Sequence, residues 1–386
     1  MRIKRDTIEE IPFTRPFVPP TEELVPLLES IRNSRVLTNN GPIHQEFEQA
    51  LADYLNVKYI SLFANATLAL IAALKVLNLK GEVITTPFTY ISTTQSIIWN
   101  QLRPVFADVS NGCINLDPSS VERLINPETC AILPVHIFGF PCDVKAFGEI
   151  AQKHQLNIIY DAAHAFGVSV NKKSLCDYGT LSILSFHATK TFNCYEGGAL
   201  VSHDPKTKSR IDKIKNYGLP IDGTPATIGF NAKMNELQAA VGLINLRYAD
   251  TLIAKRRKAV NLYEGCLERI QGINMIKPKN SVGQNHTYLP VLVEREVIGG
   301  TRDELMRFLL SHNIQSRAYF HPLLSSFDVF RNSKTDSLQN AIDISEKILC
   351  LPLFDEITES QIGLVTESIG AFIKSRTGKT STTILR

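Results

Sequence analysis

The stretch Leu156-Asn-Ile-Ile-Tyr-Asp-Ala-Ala163 ends a short apolar run with a carboxylate and follows it with two small residues. Such a run is typical of a buried strand. From about residue 44 onward, similar runs alternate with segments of helical periodicity, which is typical of strands joined by crossover helices in a mainly parallel sheet. The sequence therefore predicts an α/β fold with Asp161 at the carboxyl edge of the sheet, where open α/β sheets bind their ligands.

Further elements extend from this strand in both directions. A large domain is predicted over residues 12–250, with strands at 57–64, 82–86, 103–108, 131–138, 157–161, 182–187 and 199–203 and helical faces at 47–55, 68–77 and 143–154. A smaller α/β domain is predicted over residues 251–375, with helices at 254–269, 302–312, 338–349 and 360–374 and strands at 286–294 and 315–320. Residues 376–386 have little apolar surface to bury and are predicted to form a flexible tail.

The composition excludes several classes of partner. The chain has 386 residues and a net charge of +3, and its 41 basic and 38 acidic residues form no long block, so nucleic acid is not an expected partner. The first ten residues lack the apolar core of a signal peptide, and the apolar run 130–140 is too short and interrupted to span a bilayer. The seven cysteines include no C-x-x-C pair, which disfavours disulfides and zinc. A cytoplasmic protein without a membrane partner is expected.

Four sequence features suggest a site. Lys190 follows a predicted strand and precedes Glu196-Gly-Gly198, and Asp161 ends another strand. Asn65-Ala-Thr67 lies between a strand and a helix, where free backbone N–H groups suit a phosphate, and Tyr90 follows a third strand. An amine, a carboxylate, an anion site and an aromatic ring are what pyridoxal-phosphate (PLP) chemistry requires.

Each of these features also has a structural alternative. The alternative interpretation of Lys190 is a surface lysine. For Asp161 and Thr67 the alternative is a helix N-cap, and for Tyr90 it is a core residue. His164 and His187 belong to no ligand-spaced motif, so no metal site is predicted.

In their order along the chain, the motifs resemble the DegT/StrS-type sugar-nucleotide aminotransferases, a family with the fold of aspartate aminotransferase. The matching segments cover most of the chain and are 65–70, 81–87, 104–108, 135–139, 160–167, 185–190, 196–198, 229–231 and 351–352. The resemblance implies a PLP fold in which a large domain with a mainly parallel mixed sheet is joined to a smaller C-terminal α/β domain. It also implies a homodimer with shared active sites.

The resemblance implies roles for individual residues. Lys190 is expected to bind PLP covalently and to act as general base, Asp161 to pair with the pyridine nitrogen, and Tyr90 to stack on the ring. The remaining implied cofactor contacts are Ala66, Thr67 and Ser185 at the phosphate, His164 near the ring hydroxyl, and Asn231 at the phosphate of the neighbouring subunit. The chain departs from the family at three positions, with Ala66 for Gly, His164 for Gln and Lys233 for Arg.

The expected reaction moves an amino group from glutamate to a keto-sugar nucleotide. Segments 160–167 and 185–190 most resemble enzymes that act at C4 of dTDP-4-keto-6-deoxyglucose. Transaminases that act at C3 of a dTDP-3-keto-6-deoxyhexose share much of this sequence, so the choice between C3 and C4 stays open. A non-catalytic, PLP-binding regulatory homologue is disfavoured by the Lys190 and Asp161 pair, and a dehydratase by Lys190 itself. A dinucleotide dehydrogenase is excluded because no G-x-G-x-x-G follows the first strands.

Overall fold

The computed structural model describes residues 10–220, 223–278 and 283–378. The predicted flexible tail begins at residue 376, and its residues from 379 onward lie outside the described part. Helix formation continues to Thr377. Among the described residues, no helix is long and apolar enough to cross a membrane.

Helices and strands alternate between residues 42 and 161, as predicted, whereas the strands between residues 169 and 202 follow one another with no α-helix between them. The helices of the described residues are α1 (Thr21–Ser34), α2 (Pro42–Leu55), α3 (Ala66–Val76), α4 (Ile91–Trp99), α5 (Pro118–Leu124), α6 (Val144–His154), α7 (Pro205–Ile214), α8 (Glu236–Leu267), α9 (Arg295–Ile298), α10 (Arg302–Ser311), α11 (Gln339–Lys347) and α12 (Glu359–Thr377). The strands are β1 (Tyr59–Phe63), β2 (Glu82–Thr85), β3 (Arg103–Phe106), β4 (Thr129–Leu133), β5 (Asn157–Asp161), β6 (Ser169–Val170), β7 (Lys173–Ser174), β8 (Leu181–Ser185), β9 (Gly198–Ser202), β10 (Ile273–Met275), β11 (Leu289–Val293), β12 (Lys334–Thr335) and β13 (Ile348–Leu351).

The main sheet of the described residues has eight strands in the order β1-β9-β8-β5-β4-β2-β3-β12. Strand β9 runs antiparallel to both of its neighbours, whereas the other neighbouring pairs are parallel. The predicted α/β class with a mainly parallel mixed sheet is therefore confirmed. Strand β5 lies near the middle of this sheet, and residues 158–161 are buried, as expected for a strand covered on both faces.

A second sheet lies in the C-terminal part of the chain, where β10, β11 and β13 pair antiparallel. Its apolar core includes Val291 and Leu349, packed with residues of α8, α10 and α12. Helix α8 has 32 residues and begins at Glu236 rather than at the predicted residue 254. The predicted boundary at residue 250 falls inside this helix, and the domain limits stay a prediction.

One predicted C-terminal element is wrong, and the end of another is misplaced. Residues 315–320 form no strand, and Arg317 makes only an isolated bridge to Cys350. The helix predicted to reach residue 349 ends at Lys347, because Ile348–Leu351 leaves the helix to become the buried strand β13. Apolar runs of this length fit either element by periodicity, and pairing with β11 selects the strand. The sequence analysis also missed β12, whose two exposed residues carry no apolar pattern.

The carboxylate of Asp108 connects the large sheet to the C-terminal region. It accepts hydrogen bonds from the backbone N–H of Asn340 at 3.0 Å and of Ala341 at 2.8 Å. These N–H groups lie in the first turn of α11, where helix geometry leaves them without intrahelical partners. Leu338, at the N-cap position, has a positive φ of 55° and supplies no side-chain cap. Asp108 therefore caps α11 in place of a local residue.

We expect Asp108→Ala to lower the free energy of unfolding by about 2 kcal/mol, because two buried N–H groups lose a charged acceptor. Denaturant unfolding of the full chain, followed by circular dichroism, measures this change. Asp53→Ala is the matched control, because Asp53 is exposed and accepts one hydrogen bond from the exposed side chain of Gln49. A loss no larger than that of the control would contradict the capping role of Asp108.

Candidate active site

The carboxyl ends of four strands bring the predicted site residues to one edge of the main sheet. Strands β1, β2, β5 and β8 share one direction. The Asn65 turn follows β1 and Tyr90 follows β2, whereas Asp161 ends β5 and Ser185 ends β8. Lys190 lies in the loop after β8. The parallel arrangement explains why residues separated by more than one hundred positions meet at one edge.

Asp161 is a buried carboxylate with fixed partners. Its side chain belongs to a residue that is only 3% exposed, and it accepts a hydrogen bond from Thr93 Oγ1 at 2.8 Å and another from the Ala163 N–H at 3.1 Å. Burial raises the pKa of Asp161, whereas these two hydrogen bonds and the charge of Lys190 lower it. No α-helix begins after Asp161, so its alternative interpretation as a helix N-cap is excluded.

Lys190 is partly buried and lies against an aromatic side chain. Its Nζ donates a hydrogen bond to Tyr288 Oη at 3.3 Å and lies 5.4 Å from the centre of that ring. Burial lowers the pKa of Lys190 to about 8, although the charges of Asp161 and Tyr90 act in the opposite direction. These contacts exclude the interpretation of Lys190 as an ordinary surface lysine. A substantial neutral fraction near neutrality makes the amine available as a nucleophile or base.

His164 is a buried, neutral imidazole. Its Nδ1 accepts a hydrogen bond from the Phe138 N–H at 3.1 Å, and burial, followed by the charge of Lys190, holds the pKa of His164 well below its usual value. The remaining proton therefore resides on Nε2, which is left as a donor. The ring stacks on Phe320 with centroids 6.0 Å apart and an interplanar angle of 5°.

The start of helix α3 provides backbone donors. Asn65 is its N-cap and accepts a hydrogen bond from the Leu68 N–H at 3.0 Å, whereas the N–H groups of Ala66 and Thr67 have no partner within the helix. Gly198 lies directly against this turn, and a Cβ at Gly198 would come within 2.6 Å of the Ala66 nitrogen. Glycine is therefore required at residue 198 for the close approach of the two segments.

Tyr90 and Ser185 complete the sheet edge. Tyr90 occupies the N-cap position of α4 and is 59% exposed, so it is not a core residue. Ser185 is buried, and its Oγ accepts a hydrogen bond from the His187 N–H at 3.4 Å. An exposed ring and a buried hydroxyl therefore lie at the same edge of the sheet, at the ends of β2 and β8, with β5 and β4 between them.

Asn231 lies in a segment that pairs with the end of β1, where the Ala64 N–H donates a hydrogen bond to the Ala232 carbonyl at 2.9 Å and Phe63 bridges to Lys233. Asn231 is exposed, its backbone bridges to Asn216, and its side chain makes no hydrogen bond to the described residues. Lys233, two residues later, donates to Asn216 Oδ1 at 2.7 Å and lies 5.0 Å from the centre of the Tyr217 ring. The segment of Asn231 thus adjoins the Asn65 turn, but the Asn231 side chain makes no hydrogen bond to the other predicted site residues.

The sequence analysis missed two partners in the site. Thr93 lies in the first turn of α4, and Tyr288 lies at the start of β11. Neither belongs to a motif that marks it before folding, because each acts through a contact with a residue far away in the chain. Among the described residues, no group of three His, Cys, Asp or Glu side chains is arranged to hold a metal ion.

Comparisons with known proteins agree on one family. The family model described as the DegT/DnrJ/EryC1/StrS aminotransferase family matches residues 20–370. The chain is 43% identical to a dTDP-4-amino-4,6-dideoxy-D-glucose transaminase of Shigella dysenteriae, over 92% of this chain and 97% of the relative. It is 41% identical to an enzyme of the same name from Escherichia coli, with the same coverage. The crystal structure of DesI in the presence of its TDP-sugar product matches with a TM-score of 0.91 at 30% identity, over 96% of this chain and 94% of the other.

The lowered pKa of Lys190 has a measurable consequence. In the cofactor-free protein, where the Lys190 amine is unmodified, we expect the reaction of Lys190 with an amine-labelling reagent to rise with pH, with a midpoint near 8, because the neutral amine is the reactive form. Peptide mass spectrometry reads the labelling at each pH. Asp161→Asn removes a charge that favours the ammonium form, so the midpoint should move to lower pH.

Asp143→Asn is the control for this experiment, because Asp143 is the exposed N-cap of α6 and does not contribute to the pKa shift of Lys190. An Asp161→Asn midpoint equal to that of Asp143→Asn would show that the two charges are not coupled.

Proposed function

The chain belongs to the DegT/DnrJ/EryC1/StrS aminotransferase family, and we propose that it uses PLP to move an amino group from glutamate to C4 of dTDP-4-keto-6-deoxyglucose. The proposed chemistry rests on one observation. Burial lowers the pKa of the Lys190 amine, and the charge of the buried Asp161 carboxylate acts to raise it. The similarity to the two dTDP-4-amino-4,6-dideoxy-D-glucose transaminases supports the choice of sugar and of C4.

The side chains at the sheet edge fit PLP. Lys190 offers an amine for covalent attachment, and Asp161 offers a buried carboxylate for the ring nitrogen. Tyr90 offers an exposed ring for stacking, and His164 offers an Nε2–H that can donate to the ring hydroxyl. The phosphate would be bound by the backbone N–H groups of Ala66 and Thr67 and by the hydroxyls of Thr67 and Ser185. When bound, the cofactor supplies an electron sink for the carbon that loses its proton.

The protein groups have separate tasks in the proposed reaction. Lys190 would hold the cofactor through its amine, and this amine, when free, would take a proton from the substrate carbon and later give it up, so Lys190 would serve as both attachment point and general base. Asp161 stabilises positive charge on the ring nitrogen. Thr93 and the Ala163 N–H hold the carboxylate in one orientation, since they bind its two oxygens separately.

We propose a homodimer in which each active site receives Asn231 from the partner. Asn231 is exposed and makes no side-chain hydrogen bond within the described part of its own chain, which leaves its amide free to bind a group outside it. Two-fold dimers are the commonest soluble assemblies.

We propose that the reaction takes place in the cytoplasm, since all seven cysteines are free thiols and suit a reducing compartment.

Incubation with glutamate and each of two keto-sugars tests the proposed substrate. We expect dTDP-4-keto-6-deoxyglucose to give a 4-amino-4,6-dideoxy product, identified by NMR, and a dTDP-3-keto-6-deoxyhexose to give little product. Lys190→Ala should abolish turnover, because it removes both the attachment point and the base. A faster reaction at C3 would identify a C3 transaminase, and near wild-type turnover by Lys190→Ala would contradict the chemistry.

Mixed dimers test the shared site. Co-expression of Lys190→Ala with Asn231→Ala should form dimers in which one site carries both changes and the other carries neither, so activity should rise above the sum of the separate variants, up to about half of wild type per mixed dimer. Lys190→Ala mixed with Asp161→Asn is the control, because both residues belong to the same chain's site and neither site is intact. A mixture of Lys190→Ala and Asn231→Ala that contains mixed dimers but is no more active than the sum of the separate variants would mean that Asn231 acts within its own chain, or not at the cofactor.

A further inference from the structure

Tyr288 reaches Lys190 from a distant part of the chain. It immediately precedes β11 of the C-terminal sheet, 98 positions after Lys190, and its hydroxyl accepts the hydrogen bond from Nζ at 3.3 Å. In the described residues this is the one hydrogen bond that the Lys190 amine makes to another side chain. The C-terminal region therefore supplies a contact to the reactive nitrogen itself.

The position of the Tyr288 hydroxyl is fixed by packing. Tyr288 is 7% exposed, and four aromatic rings surround it. They are Phe13 at 5.9 Å, Phe138 at 5.5 Å, His164 at 5.2 Å and Tyr319 at 5.7 Å between ring centroids. A ring held on several sides cannot rotate its hydroxyl away without disturbing the packing of its neighbours.

The backbone before Tyr288 is tied to the site by hydrogen bonds. The backbone carbonyl of His164 accepts from Asn285 Nδ2 at 2.8 Å and from Thr287 Oγ1 at 3.1 Å. Asn285 and Thr287 are both buried, so water does not compete for these bonds. Residues 285–288 are thereby held in register with His164, and Tyr288 keeps a constant position relative to the sheet edge.

The Tyr288 hydroxyl can serve Lys190 in both of its protonation states. Burial raises the pKa of Tyr288, so the phenol keeps its proton. A neutral hydroxyl has one donor and two acceptor positions. It can accept from the ammonium form of Lys190 and donate to the neutral amine, and Tyr288 itself neither gains nor loses a proton.

We propose that Tyr288 is a positioning residue for Lys190, whose hydroxyl holds the freed Lys190 amine at the place from which that amine moves the proton. This role rests on the proposed aminotransferase function. As the carbon–hydrogen bond of the substrate breaks, the proton goes to Lys190 Nζ, and the resulting ammonium is held by Tyr288 Oη. The electron pair of that bond would pass to the bound cofactor, and Lys190 would then return the same proton to the cofactor, so the step needs no other proton donor.

Tyr288→Phe tests this role because it removes the hydroxyl and keeps the ring. With the holoenzyme, the rate of the single-turnover reaction with glutamate, followed by stopped-flow absorbance, should fall about ten- to a hundredfold, since a hydrogen bond to a charged group is lost. The isotope effect with glutamate deuterated at the α-carbon should rise, because proton removal becomes more rate-limiting. The affinity for glutamate should change little.

Tyr263→Phe is the matched control. Tyr263 is a fully buried tyrosine of the C-terminal core, and its hydroxyl has no hydrogen-bond partner among the described residues. Its replacement should leave the half-reaction rate and the isotope effect at wild-type values. Thermal unfolding of both variants shows whether each is folded.

A second measurement does not depend on turnover. Burial lowers the pKa of Lys190, and the charges of Asp161 and Tyr90 raise it, with neutral His164 nearby. Tyr288→Phe removes an acceptor of the ammonium form, so the pH midpoint of Lys190 labelling should fall below that of Tyr263→Phe. A folded Tyr288→Phe enzyme with wild-type rate, isotope effect and midpoint would overturn the role of Tyr288. A wild-type holoenzyme that does not react with glutamate would instead overturn the proposed function, and this role with it.

Discussion

The structure depends on one electrostatic constraint. The carboxylate of Asp161 and the ammonium of Lys190, which have opposite charges, are both kept away from water at one edge of the sheet. Burial alone disfavours both charges, because it raises the pKa of Asp161 and lowers that of Lys190. Each charge counteracts the effect of burial on the other, and hydrogen bonds from Thr93 and the Ala163 N–H further stabilise the carboxylate. The balance leaves Lys190 with a pKa of about 8, which suits a group that must gain and lose a proton.

The C-terminal region contributes to the site as well as packing beside it. Tyr288 contacts the amine of Lys190, and Asn285 donates a hydrogen bond to the backbone carbonyl of His164. In the opposite direction, Asp108 of the large-sheet region caps helix α11, and β12 adds a strand to the edge of the main sheet. These contacts are polar and specific in geometry, so they set the relative position of the two sheets more narrowly than apolar packing alone would.

The three departures from the family pattern are compatible with the site. Ala66 begins helix α3, where alanine is well tolerated, and the close backbone approach at this turn is provided by Gly198. His164 keeps a donor on Nε2, because its Nδ1 is occupied by the Phe138 N–H. Lys233 binds Asn216 beside the segment that carries Asn231, which gives this lysine a structural partner within its own chain.

The sequence by itself determined seven of the eight strands of the main sheet, the edge at which the carboxyl ends of its parallel strands meet, and the lysine and carboxylate placed there. These features are encoded locally, because a buried parallel strand is a continuous apolar run and its last residue marks the edge. The tertiary structure alone decided that Thr93 and Tyr288 would touch Asp161 and Lys190, and that His164 would carry its proton on Nε2. It also decided that 315–320 would not form a strand, that 348–351 would leave a helix for β13, and that β12 would join the main sheet. Such outcomes depend on contacts between residues far apart in the chain, and no local pattern records them.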